Sequence, residues 1–298
     1  MEYVIQQTLN ALSFGAEYAL LALGLAIVFS IMGLVNFAHG EIIAAGGYSM
    51  FAITALFTGN PWVVIFGALV VAIVASVLLE RIAFRPVRYA DPTTGLLTAF
   101  GVSMVLQNLF LLLVSPRPIA ITNLYFLNWP INLGGIQISS LQVFETISTV
   151  VAISLLVIFL KRSSFGIAMR AASLDFEMVR LMGIKANRVV AVAFAVSGLL
   201  AGLACIFIMA RRGSVDPTFG FNPVLKAFVA CVVGGFGSLP GAVLGGFLLG
   251  AIEVIMLVVL PQSYGGMKEA FVFGIIALIL VWRPDGILSP PVEKGDKL

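Results

Sequence analysis

The sequence predicts an all-α bundle of helices that crosses a lipid bilayer. Three observations predict it. First, apolar residues make up 60% of the 298 positions and charged residues only 10%, with a mean hydropathy of +1.10. A soluble domain carries about 25% charged residues, so a chain this apolar has too few polar side chains to face water and must be solvated by lipid. Second, the apolar residues fall in runs near the ~20 residues a helix needs to span hydrocarbon. These lie at 8–30, 41–59, 62–80, 93–115, 143–160, 189–210, 240–260 and 268–282. Third, charge is concentrated. Lys161, Arg162, Arg170, Asp175, Glu177, Arg180, Lys185 and Arg188 share one stretch, a quarter of the chain's 17 basic and 14 acidic residues. The expected organisation is one transmembrane domain, 1–298, that presents a charged segment at 161–188 to a soluble partner.

The first run should remain a span, because Met1–Asn10 holds Glu2 and lacks the positive region that opens a secretory signal. Sidedness follows from lysine and arginine. Arg81, Arg85 and Arg88, the six basic residues of 161–188, and Arg283, Lys294 and Lys297 fall on one side if 93–115 and 143–160 form an out-and-back pair. Arg117, Arg211, Arg212 and Lys268 fall opposite. That asymmetry places 161–188 and the C-terminus in the cytoplasm and the N-terminus outside. The outer loop 116–142 holds Tyr125, Phe126 and Trp129, which suit an interfacial aromatic belt or anchors for an external protein.

Two regions should break helix regularity. Gly234, Gly235, Gly237, Pro240 and Gly241 cannot sit in one continuous helix, since proline clashes with the preceding turn and glycine costs backbone entropy. The short run 223–234 and the run 240–260 are therefore expected as two re-entrant-like helices meeting at a buried elbow, although small residues also serve ordinary close packing in lipid. Residues 36–53 align without gaps on 235–252, with matches at Phe37/Phe236, Gly46/Gly245, Gly47/Gly246, Ala52/Ala251 and Ile53/Ile252. Transporters carry internal repeats whose interrupted helices line the path, which makes Asn36, His39, Glu41, Gly235, Gly237, Pro240 and Glu253 candidates for lining one. Glu41 at a helix start also complements the positive end of that helix. Glu17, Lys226 and Glu253 lie in or near apolar runs, where a charge costs about 2.5–3.5 kcal/mol on insertion scales and needs a partner or a wet cavity. Lys226 either pairs with Glu253, which a charge swap would test, or snorkels to the interface.

Within 161–188, Ser173 can cap a helix over 174–182 that Gly183 stops. Leu174, Met178, Leu181 and Met182 share one face of it, Glu177 and Arg180 the opposite one, and Phe176 and Val179 widen the apolar surface. So short a helix needs a groove in its own bundle, a partner, or the headgroup layer. No phosphate-cradling Gly-x-x-x-x-Gly-Lys-Ser/Thr run, zinc-protease helix or nucleophile elbow is present. Metal binding by the single His39 is not expected, nor is a cofactor or nucleic acid, and Cys205 and Cys231 read as buried thiols.

Several stretches together resemble the permeases of ATP-binding-cassette importers, in particular the branched-chain amino-acid subfamily. They are Gly33-Leu34-Val35-Asn36-Phe37-Ala38-His39-Gly40-Glu41, Glu80-Arg81-Ile82-Ala83-Phe84-Arg85-Pro86-Val87-Arg88, the Gly234–Gly241 cluster, and Arg283-Pro284-Asp285-Gly286-Ile287-Leu288. Arg170-Ala171-Ala172, Asp175, Glu177 and Gly183-Ile184 resemble the segment through which such permeases couple to their motor, with Arg170 where the general motif begins with Glu. The resemblance implies an inner-membrane subunit without ATPase activity of its own. Its partners would be a second homologous permease, two ATP-binding subunits and a periplasmic binding protein. The coupling residues would be Arg170, Ala171, Ser173, Asp175, Phe176, Glu177, Arg180 and Gly183. The rival expectations are the same machine carrying urea or short amides, and an ion-coupled secondary carrier.

Overall fold

The structure is a computed structural model that describes residues 2–57, 60–88, 90–133 and 136–288. The helices are α1 (Glu2–Met32), α2 (His39–Leu56), α3 (Pro61–Leu79), α4 (Arg85–Val87), α5 (Pro92–Leu113), α6 (Ser140–Arg162), α7 (Ser164–Leu174), α8 (Phe176–Leu181), α9 (Ala186–Arg212), α10 (Phe221–Gly234), α11 (Leu239–Val259) and α12 (Lys268–Trp282). The short strands β1 (Ile119–Ala120), β2 (Pro130–Leu133), β3 (Ile136–Ser139) and β4 (Ser214–Val215) form a hairpin of β2 with β3 and an antiparallel clip of β1 with β4. Two of the basic residues used for sidedness, Lys294 and Lys297, lie outside the described residues.

Among the described residues seven helical stretches are long and apolar enough to cross a membrane, not the eight the apolar runs suggested. The difference is the 41–59 run. It becomes α2, an 18-residue helix that follows the irregular stretch 33–38 and whose first turn is buried. At 18 residues α2 is long enough to count as a span, but His39, Glu41, Tyr48 and Ser49 make it less apolar than the seven. α10, with 14 residues, is too short. The elbow forms as expected: Gly235 (φ +104°) and Gly237 (φ +85°) turn the chain between α10 and α11, and the Ser238 hydroxyl accepts from the Gly241 amide at 3.1 Å. Breaking a helix in lipid frees carbonyls that need donors. Here the C-terminal segment supplies them, as the amides of Ile287 and Leu288 donate to the carbonyls of Val233 and Gly234 at 2.9 and 3.0 Å.

The core is built around α1, which touches α6, α7, α9, α10 and α11 and buries Ala16 and Leu20–Ala22 completely. α2 and α3 close against α9. Small residues let the backbones approach: a Cβ on Gly246 would sit 2.5 Å from the Ala19 amide nitrogen, and one on Gly198 2.7 Å from the Ala72 carbonyl. Gly46 and Gly47, the aligned counterparts of Gly245 and Gly246, also face neighbours, Cys205 and Val215. All four glycines thus serve close packing. α5 and α12 lie at the periphery with large apolar side chains outward, including Leu112, Leu113, Leu278 and Trp282, as suits helices facing lipid. α3 ends in a π-turn over Glu80–Phe84, just before Pro86. Proline has no amide to donate and crowds the preceding turn, and a widened turn relieves both.

Candidate coupling segment and translocation path

The charged segment folds as two helices rather than the single one expected over 174–182. Ser163 caps α7 by accepting from Gly166 N at 2.9 Å, and Asp175 caps α8 by accepting from Met178 N at 2.9 Å. Ser173 lies inside α7, and its hydroxyl donates to the Arg170 carbonyl at 2.8 Å. The cap falls two residues later because Asp175 is extended (φ −151°) and competes for the first free amides of the next turn. Gly183, at φ +78°, ends α8 as expected. The four apolar side chains expected on one helix face are instead divided, Leu174 ending α7, Met178 and Leu181 on α8 and Met182 just past it, but all are uncovered: Leu174 is 90% exposed, Leu181 81%, Met182 76% and Met178 53%. Val179 is buried, and Phe176 is half-buried with the Arg88 guanidinium 5.9 Å from its ring centroid, so these two hold α8 to the body. The segment therefore faces inward and outward at once.

Behind it lies a cleft of about 400 Å³ that brings two sets of sequence candidates together. Arg170 and Ser173 form one wall, and Gly237 and Pro240 of the elbow form another.

Three further path candidates, Asn36, His39 and Glu41, gather where α2 begins. The starts of α2 and α10 meet backbone to backbone: a Cβ on Gly220 would fall 1.8 Å from the Gly40 carbonyl oxygen, and one on Gly40 2.5 Å from that of Gly220. Asn36, His39 and Glu41 are all buried here. The Glu41 Oε1 accepts from Gln107 Nε2 at 2.8 Å and Ser103 Oγ at 3.0 Å, which ties α2 to α5. Its Oε2, both polar atoms of the Asn36 side chain, His39 Nε2 and the Tyr48 hydroxyl have no hydrogen-bond partner among the described residues. His39 Nδ1 lies 3.3 Å from Ser197 Oγ. Buried polar groups are normally satisfied, and these five atoms cluster around the first half of α2.

Glu253 belongs to a separate ion cluster. Lys226 Nζ lies 3.0 Å from both its oxygens, Lys268 Nζ donates to Oε1 at 2.7 Å, and the Tyr18 hydroxyl donates to Oε2. The Lys226–Glu253 pair is therefore formed, and Lys226 is part-buried instead of snorkelling. Arg211, at the end of α9, pairs with Glu17 of α1 at 2.9 Å and Glu145 of α6 at 2.6 Å, with Phe14 stacked 4.3 Å from its guanidinium carbon. In the sequence Arg211 stands out only as an exception to the charge asymmetry, and Glu145 escapes notice. A glutamate inside the 143–160 run is the signal that could have found it. Because Lys268 joins the Glu253 pair, the Lys226→Glu/Glu253→Lys swap is expected not to restore stability: it brings a second ammonium up against that of Lys268. Glu253→Leu should lower stability by about 3–5 kcal/mol, the usual cost of stripping a buried charge of its partner. Thermal unfolding of the purified chain in detergent reads both, and full recovery by the swap would exclude the three-membered arrangement.

Among the described residues, seven helical stretches long and apolar enough to span, with α2 and α10 meeting inside the bundle, define a multi-pass membrane protein. The comparisons agree and sharpen this. A family model described as the permease component of the branched-chain amino acid transport system matches residues 7–281. The chain is 36% identical to the high-affinity branched-chain amino acid transport system permease protein BraD of Pseudomonas aeruginosa, with 98% of each chain covered. It is also 36% identical to LivH of Escherichia coli K12, again with 98% of each chain covered. A probable branched-chain amino acid permease of Methanocaldococcus jannaschii is 24% identical over 94% of this chain and 89% of its own length. The chain belongs to this branched-chain amino acid permease family.

Proposed function

We propose that this chain is the inner-membrane permease of an ATP-driven importer that carries branched-chain or other apolar amino acids. In this reading it works as one domain beside a second, homologous permease. A periplasmic protein delivers the cargo, and two ATP-binding subunits grip the segment 161–188 from the cytoplasm. One observation carries the reading. Leu174 at the end of α7 and Met178, Leu181 and Met182 on and just past α8 present apolar surface near the charges of Glu177 and Arg180, and an apolar patch carried on short helices fits a groove in another protein.

The mechanism follows from the contacts. Nucleotide-driven closure of the motor would move α7 and α8 as a unit. α7 shares its cleft with Gly237 and Pro240, so the motion would reach the α10–α11 joint and, through α10, the Gly220–Gly40 contact where α2 starts. Asn36, His39 and Glu41 would then offer their unsatisfied polar atoms to cargo in transit. Such coupling requires that the motor hold the segment differently in its two states.

The test is a pair of substitutions. Asp175→Lys removes the cap of α8 and reverses a charge there, and Gly183→Pro forbids the positive φ that ends it. Both variants are expected to insert at wild-type level while ATP-stimulated uptake of radiolabelled leucine and stimulated ATP hydrolysis are lost. Wild-type uptake by either variant would remove the coupling role. Uptake that persists without ATP but collapses with an uncoupler would replace this reading with an ion-coupled carrier.

A further inference from the structure

The π-turn that ends α3 and the start of α9 border a cavity of about 660 Å³, which Arg180 and Gly183 at the end of the coupling segment also line. Arg81 and Arg85 line it from the π-turn side, Arg180, Lys185 and Arg188 from the other, against a single lining carboxylate, Glu80. That carboxylate is already ion-paired with Arg88, whose Nη1 also donates to Asn187 Oδ1 at 2.8 Å. The 27-residue α9 begins on the cavity wall, and its N-cap, Lys185, gives no side-chain acceptor to the first-turn amides. Arg81, Arg85, Lys185, Arg188 and the positive end of a long helix thus converge on one space, an arrangement that favours an anion.

A second feature specifies which anion. On the other face of the same turns of α3 lies a groove of about 630 Å³, lined by Leu78, Leu79 and Ile82, with Glu41 of α2 among its lining and Val102 and Leu106 of α5 on its far side. Ile82 and Leu78 are 72% and 48% exposed. A soluble phosphate would use the cavity alone, whereas a phospholipid is long enough to straddle the end of α3, with its phosphate among the basic side chains and an acyl chain in the groove. We infer that this chain holds one anionic phospholipid at the end of α3, its headgroup between the π-turn and the start of α9. Basic pockets between membrane helices on the cytoplasmic side bind such headgroups, so the inference rests on the sidedness proposed above, though not on the identity of the cargo. Lipid bound here would brace the Arg180–Lys185 end of the coupling segment against α3.

Native mass spectrometry of the purified full chain reads this directly, with phosphatidylglycerol and phosphatidylcholine added in equal amounts. The expected spectrum shows one retained phosphatidylglycerol in preference to phosphatidylcholine. Arg81→Gln/Arg85→Gln is expected to weaken that retention roughly 30-fold, about 1 kcal/mol for each charge removed. Lys185→Gln/Arg188→Gln, from the opposite wall, gives an independent variant with the same expected direction, and Lys161→Gln/Arg162→Gln, outside the cavity, should change nothing. Equal retention of the two lipids would overturn the inference. So would an undiminished preference in both cavity variants, or displacement of the lipid by millimolar inorganic phosphate or ATP, which would assign the cavity to a soluble anion.

Discussion

Arg211→Met is expected to lower the stability of the chain by about 3–5 kcal/mol, because it strips two buried carboxylates of the cation they share. Glu145 is wholly buried and Glu17 nearly so, and both reach the same guanidinium from different helices, α6 and α1. The neighbouring Arg212 offers an internal control. It is 47% exposed and pairs with Asp216 four residues on, an arrangement whose loss costs about 0–1 kcal/mol. The two variants remove the same charge from adjacent positions, so a difference between them isolates burial. The triple variant Arg211→Met/Glu17→Leu/Glu145→Leu should recover most of the loss, since a buried ionic triad replaced by apolar side chains of similar volume is often neutral or better. Thermal unfolding in detergent decides the matter. Equal unfolding temperatures for Arg211→Met and Arg212→Met would mean that the α1–α6–α9 junction is not held by this cluster.

Gly220→Ala should have a comparable effect for a different reason. Its Cβ would fall 1.8 Å from the Gly40 carbonyl oxygen, a clash between two backbones that no rotamer can relieve. Overpacking of a tight core costs about 1–3 kcal/mol or more, and here it also forces apart the starts of α2 and α10, where Asn36, His39 and Glu41 are set. Uptake is therefore expected to fall further than membrane-inserted protein does. Gly101→Ala in α5 is the matched control, with nothing within 4 Å of the new methyl group. It should be neutral or slightly stabilising, as alanine is favoured over glycine in a helix. Wild-type uptake by Gly220→Ala would show that the two helix starts separate freely and do not set the path.

Much of this architecture is legible in the residues themselves. Apolar run length marks the spans, because lipid allows a backbone no alternative to helix there. The Gly234–Gly241 cluster marks the elbow, because proline and positive-φ glycines leave few other conformations. What the sequence hides is non-local. Nothing in the 41–59 run says that α2 starts against Gly220, far along the chain. Nothing local ties Ile287 and Leu288 to the carbonyls that the elbow frees. The cap at Asp175 is legible as a residue type, but it gives way to Ser173 when a single helix is expected where two meet. Glu145 is legible too, as a charge in an apolar run, but its partner is 66 positions away and no periodicity connects them.

The most direct measurement concerns where the exposed segment lies. Leu174 is 90% exposed, and both native cysteines are buried, so Leu174→Cys introduces one reactive thiol against a silent background. A membrane-impermeant maleimide should leave it unlabelled in intact spheroplasts, label it in inverted vesicles, and lose it again when the ATP-binding subunits are added back. Labelling in intact spheroplasts would put the segment beyond the reach of any cytoplasmic motor and contradict the account.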